Sequence, residues 1–295
     1  MFRRRPMSVL VAIALLAILT PAPTVAEPVQ DKIPVARAHR GVGLRYRRIE
    51  APLFCRLGPG NVRQGKLNDC NLAGSMAAVA HARPDHIRQM VVPASPLGWL
   101  RVAFGGKAAR QDRRRRLADN EVMVTPDVPF SHLNKPGYAR DYEGRSSWPA
   151  VLEKAYAKKF GEGKGYEALN HGGPIALVFD RLVGGNSKVE EFFRDAHGDD
   201  RYQKQIFEEI AEAAEAQKPM AVLAPRAGDQ YAAGRNVVPW HVYAVLGASS
   251  TQAGIQQVDL YNPHANPTKT RGRFFSMPIH EFLASFVELV IAQPE

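Results

Sequence analysis

Small and apolar residues run almost unbroken from Cys70 to Ala82, and the rest of the chain changes hydrophobic period around that run. Asn71-Leu72-Ala73-Gly74-Ser75-Met76-Ala77-Ala78-Val79-Ala80 is rich in helix formers and meets no proline until Pro84, which predicts a helix stopping near Ala82. Asn68 and Asp69, just before it, are natural N-cap residues. A second helix is predicted over Trp148 to Phe160, where Trp148, Val151, Leu152, Ala155 and Tyr156 recur at helical spacing and mark a buried face. An amphipathic stretch from Asp200 to Gln217 predicts a third. Beyond it the period drops to two. Pro219 to Ala224, Val237 to Gly247 and Gln257 to Pro263 read as strands, with a hairpin through the Ser249–Gly254 turn and a short closing helix from Ile279 to Phe286. The order gives an α+β chain, with a helical lobe over residues 60–185 and a β-rich lobe over 186–295.

The two ends of this pattern carry the candidate chemistry. Cys70 sits where a loop becomes a helix, and the positive end of a helix dipole favours thiolate over thiol. Gln64 could aim its side-chain NH2 at the oxygen of an attacked carbonyl beside the backbone N–H of Cys70. By itself the segment equally suits a buried structural cysteine. The hairpin would set His241, near the start of one strand, beside Asn262 at the end of the next. The Asn oxygen would then accept from one ring N–H of His241 and hold the other ring nitrogen toward Cys70. Cysteine, distant histidine, then asparagine is the chain order of papain-like proteases.

Here the chain resembles the catalytic domain of the calpain family. The matching residues are Gln64-Gly65 with Asp69-Cys70, then His241-Val242-Tyr243-Ala244-Val245, then Asn262-Pro263. Between them, Trp148 to Lys158 is similar to the family's W-x-x-L-L-E-K-A-Y-A-K helix, and Tyr166-Glu167-Ala168-Leu169, Gly172-Gly173 and Gly184-Gly185 follow in family order. The close, Phe274-Phe275-Ser276-Met277 with Phe282 and Phe286, is also similar, so the resemblance runs from about residue 60 to the C-terminus. It implies a papain-like two-lobe fold and a cysteine endopeptidase with Cys70 as nucleophile, His241 as its base, Asn262 orienting the histidine and Gln64 in the oxyanion hole. It implies a protein or peptide substrate and a cleft in which Gly172, Gly173 and Trp240 contact it. Calcium enters only through the family, and no residues here are assigned to it. The chain departs from the family at Asn71 and His264, where calpains carry Trp, at Trp240, where they carry Gly before the histidine, and at Asn68, where they carry Gly. These changes leave open a weakly active or inactive binding module, and Cys–His chemistry on another acyl group, such as transamidation or cell-wall peptide cleavage.

Composition narrows the setting. Arg3, Arg4 and Arg5, an apolar core from Val9 to Leu19 and the small residues Thr24-Val25-Ala26 read as a signal peptide over residues 1–26. That core of about a dozen residues falls short of the roughly twenty that span a bilayer, so the expectation is cleavage near Ala26 and a periplasmic or secreted protein with no stable membrane span. Residues 27–59, with Pro28, Pro34, Pro52 and Pro59, read as an N-terminal extension. The formal charge of +10 loses the three signal arginines on cleavage, leaving about +7, which names no partner. Arg101, Lys107, Arg110 and Arg113 to Arg116 form a basic stretch expected to be a solvated face. Its few aromatics (Trp99 and Phe104) argue against nucleic acid. The histidines show no zinc-protease spacing, and no phosphate-loop or dinucleotide fingerprint occurs. Cys55 and Cys70 are the only cysteines, and a disulfide between them is chemically allowed in an oxidising compartment.

Overall fold

The computed structural model describes residues 31–95, 98–109, 116–193, 198–227, 237–264 and 272–294. The signal segment, its cleavage site and most of the arginine cluster lie outside the described residues. The elements in chain order begin with β1 (Arg45–Arg48), α1 (Cys70–Ala82), α2 (Pro84–Met90), β2 (Val91–Pro93), β3 (Leu100–Ala103), β4 (Glu121–Val124) and β5 (Asp127–Phe130). They continue with α3 (Trp148–Phe160), α4 (Ile175–Val183), β6 (Lys188–Glu191), α5 (Asp200–Glu215) and β7 (Met220–Leu223). The chain closes with β8 (Val242–Ser250), β9 (Gln256–Tyr261), β10 (Phe274–Pro278), α6 (Ile279–Ser285) and β11 (Glu288–Ile291). This is a mixed α+β fold, as expected. The helices foreseen after Cys70 and from Trp148 match α1 and α3 residue for residue.

The first lobe is built around α1. Every residue from Cys70 to Ala80 is buried, which is why the helix is made of Ala, Gly, Ser, Leu and Met rather than carrying a polar face. It packs against α2 and α4 on its own side and against β7 and β8 of the other lobe. This lobe is less purely helical than its sequence suggested, because it also holds the three-stranded sheet β2-β3-β4 and the pair β1-β5. Arg101, expected on a solvated face, is instead buried in β3 with its Nη1 3.8 Å from Glu121. Strand neighbours Val102 and Leu100 anchor β3 to the core, so the odd-numbered charge goes inward with its own counter-ion.

A six-stranded antiparallel-rich sheet, ordered β10-β9-β8-β7-β11-β6, forms the second lobe. The alternation along β8 divides its side chains between the two lobes. Val242 and Ala244 join the core that surrounds α1, whereas Tyr243 and Val245 join the core under α5 and α6. Part of the segment before residue 60 is woven into the first lobe: β1 pairs antiparallel with β5, and Tyr46 Oη donates to the Ile33 carbonyl at 2.6 Å. Cys55 is exposed and Cys70 buried, and both are free thiols. Among the described residues no helix is long and apolar enough to cross a membrane.

The joint between the lobes is tight at one glycine. A Cβ on Gly74 of α1 would lie 2.7 Å from Val242 Cγ1, and Val242 is β-branched with little rotamer freedom to yield. Gly74→Val should therefore lower stability by about 1–3 kcal/mol through overpacking, measured by urea unfolding. Gly74→Ala should cost less, because the gain in helix propensity of about 1 kcal/mol offsets part of the clash.

Candidate active site

Three chain segments converge where α1 meets β8. Cys70 is the first residue of α1, and the backbone of Asp69 closes that helix end by accepting from Leu72 N and Ala73 N at 2.9 and 3.0 Å. His241 directly precedes β8, and hydrogen bonding by the Val242 backbone favours the Cys70 thiolate, so the thiol abuts the residue after His241. Asn262 follows β9, the antiparallel partner of β8, in register with Ala244 opposite Tyr261. The hairpin thus carries His241 and Asn262 together: His241 Nε2 and Asn262 Oδ1 are 2.9 Å apart, both residues buried. An Asn oxygen only accepts, so Nε2 carries the proton and Nδ1 is the free nitrogen of the neutral ring. Asn262 Oδ1 also accepts from the His264 backbone N–H at 3.0 Å, which pins the amide.

The residues around this pair replace the shell the family would supply. The His264 ring lies edge-on to His241 with centroids 5.6 Å apart, and Tyr243 packs on His241 in the same way at 5.0 Å. Trp240 is half exposed at the rim of a cleft of about 510 Å3, which Gln64, His241 and His264 also line. Its φ of 51° is left-handed, an unusual state for a bulky residue. Its N–H donates to the Pro225 carbonyl at 2.8 Å, and the Arg226 guanidinium stacks 4.1 Å from the indole centroid. Asn71, where the family has Trp, donates from Nδ2 to the Gly173 carbonyl at 3.2 Å. Gly172 and Gly173 line a separate small cavity of about 150 Å3 that includes Asn71, so the structure brings this glycine pair beside the nucleophile but not into the cleft with Trp240.

One sequence expectation is corrected by the local electrostatics, and a second is not met in the resting site. Cys70 was expected to titrate below an ordinary thiol. Instead burial pushes the thiol up, the Asp69 carboxylate adds to this, and hydrogen bonding by the Val242, Asn71 and Cys70 backbone only partly opposes it. His241 moves the other way, down to about 4, because burial disfavours imidazolium more than Asn262 supports it, with His264 adding to the fall. The resting pair is therefore neutral thiol and neutral imidazole. Gln64 was expected to aim its NH2 at an oxyanion. Its Nε2 instead donates to the Leu67 carbonyl at 2.9 Å and lies 3.4 Å from Asp69 Oδ1, while its buried Oε1 has no partner. Gly65, next to it, must be glycine, since a Cβ there would lie 2.3 Å from Tyr138 backbone atoms.

Beneath Cys70 lies a pair the sequence did not reveal. The Asp69 side chain makes no N-cap bond and turns inward to Glu153 of α3, 84 residues away. Asp69 Oδ2 and Glu153 Oε2 have no other partner, and Glu153 Oε1 accepts from Ala139 N at 2.9 Å. Two fully buried carboxyls this close cannot both ionise, so they share a proton. Burial raises Asp69 from 3.8 to about 6, and burial followed by the Asp69 charge raises Glu153 well above its ordinary value. No group of three or more His, Cys, Asp or Glu side chains among the described residues is arranged to hold a metal. The calcium implied by the resemblance thus finds no such donor set there.

Comparisons with known proteins identify the family. The profile described as calpain family cysteine protease matches residues 45–277. The chain is similar to a calpain-type cysteine protease, DEK1, of Arabidopsis thaliana, 24% identical over 221 residues that cover 72% of this chain and 9% of that protein. It is similar to ADL1 of Oryza sativa subsp. japonica, 25% identical over 151 residues, and to DEK1 of Zea mays, 24% identical over the same length. Each of these two alignments covers 51% of this chain and 7% of the relative. The aligned region is thus a small part of each relative.

The shared proton has a measurable sign. Asp69 binds its proton more tightly folded than unfolded, so its contribution to stability is present below about pH 4 and is lost as pH rises to about 6. His241, lowered to about 4, has the opposite slope: its contribution is present above 6.5 and is lost as pH falls toward 4. The two partly cancel in the wild type, and Glu153→Gln separates them. Relative to wild type, this variant should gain stability as pH rises from about 4.5 to about 7, because it removes a carboxyl that burial and the Asp69 charge keep protonated in the folded state while it ionises in the unfolded chain. Urea unfolding across that range measures it, and a difference independent of pH would show that no proton is shared.

Proposed function

Since the chain belongs to the calpain family of cysteine proteases, we propose that it is an active endopeptidase that cleaves protein or peptide substrates through an acyl-enzyme on Cys70. The observation that carries this reading is the His241–Asn262 hydrogen bond placed beside the thiol at the start of α1. His241 Nδ1 takes the thiol proton as Cys70 Sγ attacks the scissile carbonyl, so the imidazolium forms during attack rather than beforehand. Its Nε2–H stays on Asn262 Oδ1, which keeps the ring aligned as it charges. The Cys70 backbone N–H receives the developing oxyanion. Gln64 joins it once its amide turns from the Leu67 carbonyl toward the cleft, a rotation that bound substrate repays with a charge-assisted hydrogen bond. The carbonyl then re-forms, the C–N bond breaks, and His241 gives its proton to the leaving amine. Water attacks the thioester, losing its proton to His241 Nδ1, and the carboxylic acid and free thiol separate. Gly172 and Gly173, in the cavity beside Asn71, allow an extended substrate to approach closely there, and Trp240 narrows the cleft on the His241 side.

The neutral resting pair sets the test. Cys70→Ala should abolish peptide cleavage with the fold retained by circular dichroism. In the wild type, iodoacetamide should label Cys70 with a rate that climbs with pH beyond the ordinary thiol range, because burial holds the thiol up. A plateau already reached below pH 6 would indicate a preformed thiolate. A Cys70→Ala protein that still cleaves at the wild-type rate would defeat the proposal.

We also propose that the protein is exported, a reading supported by the basic, apolar and small-residue order of residues 1–26. N-terminal sequencing of protein recovered from outside the cytoplasm should begin at Glu27. An intact Met1 in a cytoplasmic fraction would defeat it.

A further inference from the structure

The cleft does not end at His264. Past it lies a second cavity of about 470 Å3, which shares Gln64, Gly65, Lys66 and His264 with the first. Among the described residues its charged lining is Arg63, Lys66, Lys135 and Arg140, with no carboxylate. None of these four cations forms an ion pair among the described residues. Four like charges around one concavity make a positive potential that attracts an anionic ligand.

Two of the four are held in place. Arg63 and Arg140 exchange backbone hydrogen bonds of 2.8 and 3.0 Å, so their side chains spring from one antiparallel bridge. Arg140 Nη1 donates to the Pro136 and Tyr138 carbonyls at 3.2 and 3.3 Å, and the Arg63 guanidinium lies 5.0 Å from the centre of the Tyr142 ring. They are close enough that, after burial, the Arg63 charge is the next influence lowering Arg140. On their other side Arg63, Lys135 and Arg140 line a neighbouring cavity with Glu50, Asp141 and Glu143, where Asp141, next to Arg140 in sequence, is taken up by Asn61 Nδ2 and Glu143 N. Lys66 and Lys135 are exposed, and among the described residues their side chains make no hydrogen bond, so they can swing to meet a ligand. Fixed guanidiniums at the base and mobile ammoniums at the rim suit carboxylates on a flexible chain.

We propose that this cationic channel is a substrate subsite, and that the Cys70 centre acts on protein segments bearing aspartate or glutamate on the Gln64–His264 side of the bond attacked. The inference rests on the peptidase reading, which supplies the chain that threads the cleft. The cavity beside Gly172 and Gly173 shares no lining residue with the channel, so the acidic preference belongs to one side of the scissile bond only.

Matched peptides differing only by Glu or Gln at each position on either side of the cleaved bond test this on the full chain. Glu should raise kcat/KM about tenfold or more over Gln, at adjoining positions on a single side. The Glu/Gln ratio should fall toward one at 1 M salt, where the screening length drops to about 3 Å. Lys66→Glu with Lys135→Glu should also lower that ratio, read within the variant. A ratio of one at every position, with cleavage intact, overturns the subsite and leaves the peptidase reading standing. Should no peptide be cleaved, the peptidase reading fails, and binding decides the subsite by itself. Fluorescence anisotropy with Cys70→Ala should show the Glu peptides bound about tenfold more tightly than the Gln peptides at low salt, and equal affinity overturns the proposal.

Discussion

The close contact between α1 and β8 is the constraint on which the site depends. A helix can approach a strand that closely only where its side chains nearly vanish, and Gly74 beneath Val242 provides the opening. The same approach presses the first residue of the helix against the backbone just after His241, so the thiol and the imidazole are brought together by packing rather than by a bond between them. Asn262 is then delivered by the register of the β8–β9 hairpin. One lobe supplies the thiol, the other supplies a histidine already fixed by its amide partner, and the joint between them has no slack.

Much of this could be read from the chain because it is written in local patterns. The helix from Cys70 to Ala82 shows as a run of small residues bounded by Pro84, and the strands next to His241 and Asn262 show as β-branched alternation. The charges could not be read so well. Nothing near Asp69 signals that its carboxyl leaves the N-cap for Glu153, because that choice depends on α3 arriving from 84 residues away. Burial of Cys70 follows from the same tertiary closeness, so the helix dipole, a local effect, loses to desolvation, a global one. Arg101 failed for a related reason: a basic run read as solvent-facing contains one residue whose strand neighbours belong to the core.

Electrostatically, the site sits between two different surroundings. Below it, Asp69 and Glu153 share one buried proton next to Gln64, which keeps that amide engaged inward and leaves a single negative charge under the thiol above about pH 6. To one side, Arg63 and Arg140 present fixed positive charge where the cleft continues. An incoming acidic segment would meet attraction at the channel and repulsion over the floor. That asymmetry gives a substrate a preferred direction before any side chain is read.

Trp240 holds a backbone conformation that glycine adopts freely and other residues adopt at a cost. The Pro225 carbonyl secures that conformation through the main chain, with no call on the indole. The loop shape is thus independent of the side chain it displays. Replacing tryptophan by glycine would relieve strain without remodelling the path into His241, whereas most other replacements would inherit the strain and lose the Arg226 stacking. The rim of this cleft is therefore evolvable in one direction: a single codon can open it, and the route back requires a residue bulky enough to repay its own conformation.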